Sequence, residues 1–396
     1  MTPGAGIFRT KLPKGFFAAG INCGIRHYRP DIGLISSDFP CVAAGVFTQS
    51  SFKAAPVLYS EGLLPSNNIR AIVSNSGQAN AATGDQGVDD NLAMAEAVAS
   101  FLGCKAEQVL TASTGVIGNR MEINKIVSGV PRLVDSLIDI VETFATAILT
   151  TDLVPKTVVK ELMLEGGKIT ITGVCKGSGM IHPNMATMLG FLLTDAVFDI
   201  EQSQKALKRA CNCSFNMISV DGETSTNDSV FLLANGASGV FVQSHEISLV
   251  QEAFNEVAIT LAKSIARDGE GATRLLTVEV IHAKDAFTAK KIARSLTVSP
   301  LIKTAIHGAS PNWGRVMARL GMEQCENLEN CKITFQGFQV YGPGLKRDSL
   351  SKRVKEKMKT DSVLIEVDLA SGDASATAWG CDLSPSYVKI NAEYLT

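Results

Sequence analysis

The sequence predicts a layered α+β fold, and three observations predict it. Short apolar or alternating runs recur between glycine-rich turns, amphipathic stretches lie among them, and the two kinds alternate less strictly than a doubly wound sheet requires. The strand-like runs are Ile69 to Val73, Lys168 to Val174, Leu276 to Ile281, Ile333 to Tyr341, Val363 to Leu369 and Tyr387 to Tyr394. One helix is predicted through Val88, Leu92, Ala95, Ala99 and Leu102, closed by Gly103 at a C-cap position. A second runs through Val250, Phe254, Val257 and Leu261, with Ser248 and Gln251 spaced as a capping box. A further helix begins at Asp285, directly after a strand. That change sets the expected division into a larger N-terminal catalytic domain, residues 1–284, and a smaller C-terminal α/β domain, residues 285–396.

Composition narrows the function classes. The 396 residues include 45% hydrophobic and 19% charged side chains, enough to bury one large core or two ordinary ones. Thirty-four glycines against two tryptophans and five tyrosines favour tight turns and close backbone approaches over aromatic binding surfaces. A formal net charge of -2 without a long basic run gives no footprint for nucleic acid. Nine scattered cysteines without a C-x-x-C pair read as reduced thiols, and Cys211-Asn-Cys213 is too tight for a usual zinc clip. Neither a signal-peptide core nor a membrane-length apolar run is seen, so a cytoplasmic protein without membrane or nucleic-acid partners is expected.

The most informative stretch is Lys176-Gly-Ser-Gly-Met-Ile-His-Pro-Asn-Met-Ala-Thr-Met-Leu-Gly190. Gly177 and Gly179 permit tight geometry, and Pro183-Asn184 signals a turn. From Met185 to Leu193 the chain is almost wholly apolar, interrupted mainly by Thr187. By composition alone, a buried strand threonine bonded to backbone is the commoner reading. The chemical alternative is a threonine whose own α-amine becomes its base once the Ala186-Thr187 bond breaks. A free α-amine, with a reference pKa of about 7.7–8.0, is partly unprotonated near neutrality and can accept the hydroxyl proton. Small Ala186 leaves the Thr187 hydroxyl room to reach the carbonyl it would attack.

This run resembles the self-processing site of the glutamate N-acetyltransferase (ornithine acetyltransferase) family. Asn75-Ser-Gly-Gln-Ala-Asn80, Ser113-Thr-Gly-Val-Ile-Gly118, Asp221-Gly-Glu-Thr-Ser-Thr-Asn-Asp228, Asp268-Gly-Glu-Gly-Ala-Thr273 and Pro311-Asn-Trp-Gly-Arg315 extend the likeness over nearly the whole chain. The resemblance implies a layered αββα-type fold and self-cleavage into an α chain, residues 1–186, and a β chain, residues 187–396, assembled as α2β2. It further implies a two-step acetyl transfer from N2-acetylornithine to L-glutamate through acetyl-Thr187, a step of arginine biosynthesis, with no cofactor or metal. Because the family includes members that also use acetyl-CoA, that donor stays open. Carried over by position, Thr187 is the nucleophile and Thr114 with Gly115 the oxyanion pair. Thr150, Lys176, Thr187, Glu270, Asn391 and Thr396 bind substrate, which requires the C-terminal tail to return to the site.

Three other readings stand beside this one. Asp221, Glu223 and Asp228 cluster as metal ligands would, yet lack the full set of an EF-hand loop. Arg315 opens a helix as an anion site might, although structural roles for Trp313 and Arg315 are expected. The chain departs from the family pattern at Glu223, where aspartate is common, and at Ser310, where an acidic residue often precedes the proline. The rival functions are a self-processed amidohydrolase or aminopeptidase, in which water attacks the acyl-threonine, and a non-catalytic protein of the same fold.

Overall fold

A computed structural model describes residues 9–182, 188–343, 345 and 351–393. The first half of the chain contributes β1 (Phe16–Ile21), β2 (Ile32–Phe47), α1 (Ala55–Leu63), β3 (Ser66–Gln78), α2 (Gly84–Leu102), β4 (Val109–Val116), α3 (Ile123–Asp135), α4 (Glu142–Ala147), β5 (Lys156–Leu164) and β6 (Gly167–Lys176). Then follow β7 (Leu189–Thr194), α5 (Ile200–Cys213), β8 (Ile218–Ser219), β9 (Ser229–Ala234), α6 (Ile247–Arg267) and β10 (Leu275–Ala283). The chain continues through α7 (Ala286–Val298), α8 (Pro300–His307), α9 (Trp313–Met322), β11 (Lys332–Phe335), β12 (Phe338–Tyr341), α10 (Ser351–Lys357), β13 (Ser362–Asp368), β14 (Ala374–Cys381) and α11 (Pro385–Glu393).

Strands β4-β3-β2-β9-β7-β6-β5 hydrogen-bond in that order, with β1 added on β2. The 16-residue β2 belongs to both halves of this sheet. Its first residues pair with β3, its register shifts between Ser36 and Cys41, and Val42 to Phe47 pair with β9. The bulge lets the sheet fold back on itself. Alternation along each strand then fills three apolar layers. Ile35, Ile72 and Leu110 from one half meet Phe191, Leu193, Phe231 and Leu233 from the other. On one outer face Leu34, Ala71 and Val73 pack under α2 and α3. On the other, Ile171, Leu192 and Leu232 pack under α5 and α6. The arrangement is α, β, β, α, as the family resemblance implied. Phe144 of α4 wedges one end of the sandwich, edge-on to Phe191 with ring centroids 5.0 Å apart.

A second sheet, in the order β12-β11-β13-β10-β14-β8, continues the apolar layer beneath α6 through Leu276, Val278 and Val280. The expected boundary falls between β10 and α7, where Asp285 caps α7 by accepting from Thr288 N at 2.7 Å. Among the described residues no helix is long and apolar enough to cross a membrane.

Several local expectations require correction. α2 ends as expected, with Gly103 at φ +65° and its N–H on Ala99 O. Its buried stripe, however, is Met94, Ala95, Val98 and Ala99, while Val88 and Leu92 are exposed. α6 buries Val250, Phe254, Val257 and Leu261 as read, but begins at Ile247, so Ser248 lies inside it. The capping box is one turn earlier, on Gln243 and Glu246, where a 3-10 turn leads into the helix. Ile333 to Tyr341 is a hairpin, β11 and β12, because Gln336 and Gly337 both adopt positive φ. Tyr387 to Glu393 is helix, not strand: Pro385 occupies the first turn and Ser384 Oγ accepts from Ser386 N at 3.2 Å.

Candidate active site

Five separate chain segments meet where β4 and β6 end. Here Thr114 and Gly115 (β4), Thr150 (after α4), Lys176 (β6), Glu270 (after α6) and Asn391 (α11) line one pocket of about 150 Å3. Lys176 is the centre of the arrangement. Its buried Nζ donates to Thr114 Oγ1 at 3.0 Å and to Thr150 Oγ1 at 2.9 Å, so one ammonium fixes two hydroxyls. At the far side Glu270 Oε2 accepts from Asn391 Nδ2 at 2.8 Å, which brings α11 to the pocket. The pocket therefore has a cationic, hydroxyl-rich end and a carboxylate end, an arrangement that suits a zwitterion.

Glycine geometry shapes both ends. Gly115 adopts φ +133°, and a Cβ there would lie 2.3 Å from Gly77 C on β3. Only glycine fits that contact, and its absent side chain keeps the neighbouring backbone open to an incoming atom. A Cβ on Gly179 would stand 2.4 Å from the Glu270 carboxylate, so the two residues are in close register. Asp221, of the Asp221, Glu223 and Asp228 cluster, has a structural part. Asp221 accepts from Met180 N at 2.7 Å and Ile181 N at 2.8 Å, holding the loop after β6 while Met180 adopts a positive φ of 57°. Asn227 Nδ2 donates to Ala79 O and to Ser113 O, tying the ends of β3 and β4 together.

Ala186, Thr187 and Thr396 lie outside the described residues. Their chain neighbours set the context: Leu189 pairs with Lys176 across β7 and β6, and Met188 O accepts from Ser229 N at 3.2 Å. His182, the only histidine of the motif, does not line the pocket. Burial and the nearby Arg294 lower its pKa to about 4, and its ring nitrogens face Ser219 Oγ and Arg294. No histidine or cysteine is found among the described lining residues, whose titratable groups are Lys176, Asp221, Glu223, Glu270 and Tyr387.

A model of the ArgJ family matches residues 17–396. The arginine biosynthesis bifunctional protein ArgJ of Dehalococcoides mccartyi is 46% identical over 391 residues, covering 97% of this chain and 96% of that protein. Its namesake from Thermotoga neapolitana is 44% identical over 395 residues, 97% of this chain and all of that one. This chain belongs to the ArgJ family. A crystal structure of ArgJ from Bacillus halodurans, 38% identical with a TM-score of 0.51, covers 52% of this chain and 100% of its own.

Next to the pocket lie further buried polar contacts that sequence reading did not assign. Asp152 accepts from Thr150 N, Gly177 N and Lys156 Nζ, at 3.1, 2.7 and 2.7 Å. Lys156 also reaches Asp268 at 2.6 Å. No motif marks Asp152 in sequence, because its contact with Gly177 spans 25 positions and the Lys156–Asp268 contact that extends the cluster spans 112, so only the fold brings them together. Arg26 donates to Leu149 O and Thr150 O from the opposite side of the same loop. The Pro311 to Arg315 motif is structural, as expected: Trp313 stacks on Tyr341 at 4.9 Å, and Arg315 donates to Leu301 O.

Proposed function

We propose that this protein transfers an acetyl group from N2-acetylornithine to L-glutamate in arginine biosynthesis, through an acetyl-Thr187 intermediate formed after self-cleavage at Ala186-Thr187. The observation that carries the reading is the double contact of Lys176 with Thr114 and Thr150, opposite Glu270 and Asn391, in a chain of the ArgJ family. In the forward half-reaction the Thr187 hydroxyl attacks the acetyl carbonyl while its α-amine accepts the hydroxyl proton. Thr114 and Gly115 donate to the oxyanion. Collapse of the tetrahedral intermediate forms the acetyl ester and breaks the amide, and ornithine leaves with the proton returned to its amine. Glutamate then attacks the ester through its α-amine, and the reverse sequence yields N-acetylglutamate and free Thr187.

Each end of the pocket has a task. Lys176 and the Thr150 hydroxyl offset the α-carboxylate, whereas Glu270, steadied by Asn391, meets the cationic side of ornithine. The two pieces would stay joined, since β6 of the first and β7 of the second are hydrogen-bonded neighbours. An α2β2 assembly in the cytoplasm completes the reading. The names of the relatives, bifunctional ArgJ, make acetyl-CoA a second acetyl donor to test.

Incubation with N2-acetylornithine, with and without glutamate, tests the transfer. Ornithine is expected to accumulate catalytically only when glutamate is present, with N-acetylglutamate formed in equal amount. Free acetate released in step with ornithine would replace the transferase reading by the hydrolase one.

A further inference from the structure

We propose that Asp152 is a positioning residue for this transfer: it fixes the Thr150 loop against the end of β6 and sets a buried carboxylate beside the residue that carries the Lys176–Thr150 contact. The inference rests on the pocket's reading as the transfer site. Asp152 is 1% exposed, and two of its partners, Thr150 N and Gly177 N, belong to or adjoin pocket residues, while the third, Lys156, comes from β5. One oxygen accepts from Thr150 N and the other from Gly177 N, so the carboxylate bridges the residues on either side of the Lys176–Thr150 contact. Lys156 Nζ, 1% exposed in its side chain, bonds both Asp152 and Asp268. Asp268 continues the linkage: its carbonyl accepts from Ser178 Oγ, and Glu270 N donates to Ser178 O. A single buried charge cluster thus sets the spacing of Thr150, Lys176 and Glu270.

Electrostatics points the same way. Burial would raise the Asp152 pKa, but the charges of Lys176 and Lys156 outweigh it and hold the carboxyl at about 2. Burial is also the largest influence on Lys176, pulling its ammonium below the ordinary lysine value. Asp152 is the leading charge opposing that fall, ahead of Asp228 before β9 and Glu270 after α6, whereas Lys156 of β5 adds to it. The neutral hydroxyls of Thr114 and Thr150 complete the surroundings of Nζ. A deprotonated Lys176 would no longer offset a substrate carboxylate.

The test compares the full-length wild-type protein with Asp152→Asn and Asp268→Asn. NMR of lysine side chains, with Lys176 assigned by its absence in Lys176→Met, reads its titration without turnover, and kcat/KM is followed across pH in parallel. Asp152→Asn keeps the side-chain shape and removes the charge. Lys176 should then titrate about 1–3 pH units lower, and the alkaline limb of kcat/KM should move down with it, so that acidification recovers part of the loss. Asp268→Asn removes the other carboxylate of the cluster and should lower Tm without moving that limb. If Asp152→Asn does not fold, Asp152→Glu is expected to raise KM while preserving the limb. Unmoved Lys176 titration in Asp152→Asn, or a displaced limb in Asp152→Glu, overturns the proposal. A wild-type protein that transfers no acetyl contradicts the transfer reading instead, because the NMR titration stands apart from activity.

Discussion

Thr187→Ala is expected to leave a single uncut chain and to lower kcat by roughly 10⁴–10⁶-fold, as loss of a nucleophile does in other acyl-transfer enzymes. The size of the effect follows from one residue holding two roles. On the proposed mechanism its hydroxyl both cleaves the preceding peptide and accepts the acetyl group, and its α-amine exists only after that cleavage. Two readouts separate these roles. A denaturing gel reports cutting, and ornithine release reports transfer. Thr187→Ser, which keeps both groups, should retain cleavage and part of the activity. A Thr187→Ala preparation that still yields two pieces would move the self-cleaving nucleophile elsewhere in the chain.

Gly115→Ala is expected to lower kcat by about 10²–10³-fold, the loss that follows removal of one oxyanion donor. The physical cause is steric and local. Gly77 and Gly115 face one another across β3 and β4, and a Cβ on Gly115 would meet Gly77 C at 2.3 Å and Gln78 N at 2.6 Å. Neither neighbour is a flexible side chain that can swing aside, and φ of +133° is itself costly for alanine. The end of β4 must therefore shift, carrying the Thr114 hydroxyl away from Lys176 and from the developing oxyanion. Steady-state kinetics should show the loss mainly in kcat, with self-cleavage slowed as well if the same donors serve both reactions. Unchanged turnover with lowered Tm would assign Gly115 to packing alone.

How far the molecule was legible in its sequence depends on whether a feature is local. Gly103 ends α2 because a left-handed residue is needed there, and Asp285 caps α7 through its own side chain, so both were visible in a few residues. The Tyr387 to Tyr394 run misled because its alternation outweighed the Ser384-Pro385 helix start. α11 buries none of its residues, so its pattern carries no core-facing stripe to read. Val88 and Leu92 misled for a related reason: apolar residues at helical spacing need not face the core, and here Met94 and Val98 do.

The site divides in the same way. Thr114, Gly115, Thr150, Lys176, Glu270 and Asn391 were named by resemblance to family motifs, and folding gathers them around one pocket. The reason they belong together was not in the motifs. Lys176 meets Thr114 across 62 positions and Thr150 across 26, contacts that exist only once β6 lies beside β7 and the sheet has folded back at β2. Asp152 and Lys156 had no motif at all. Read alone, they are ordinary surface charges; in the fold they are buried and paired.

The central claim, an acetyl group carried on a threonine freed by self-cleavage, is tested most directly by mass measurement of the purified protein after incubation with N2-acetylornithine in the absence of glutamate. The expected result is two polypeptides, residues 1–186 and 187–396, with the second heavier by one acetyl group located on its N-terminal Thr187 and returned to its original mass on addition of glutamate. An intact chain of 396 residues, or an acetyl group that stays in place when glutamate is added, would contradict it.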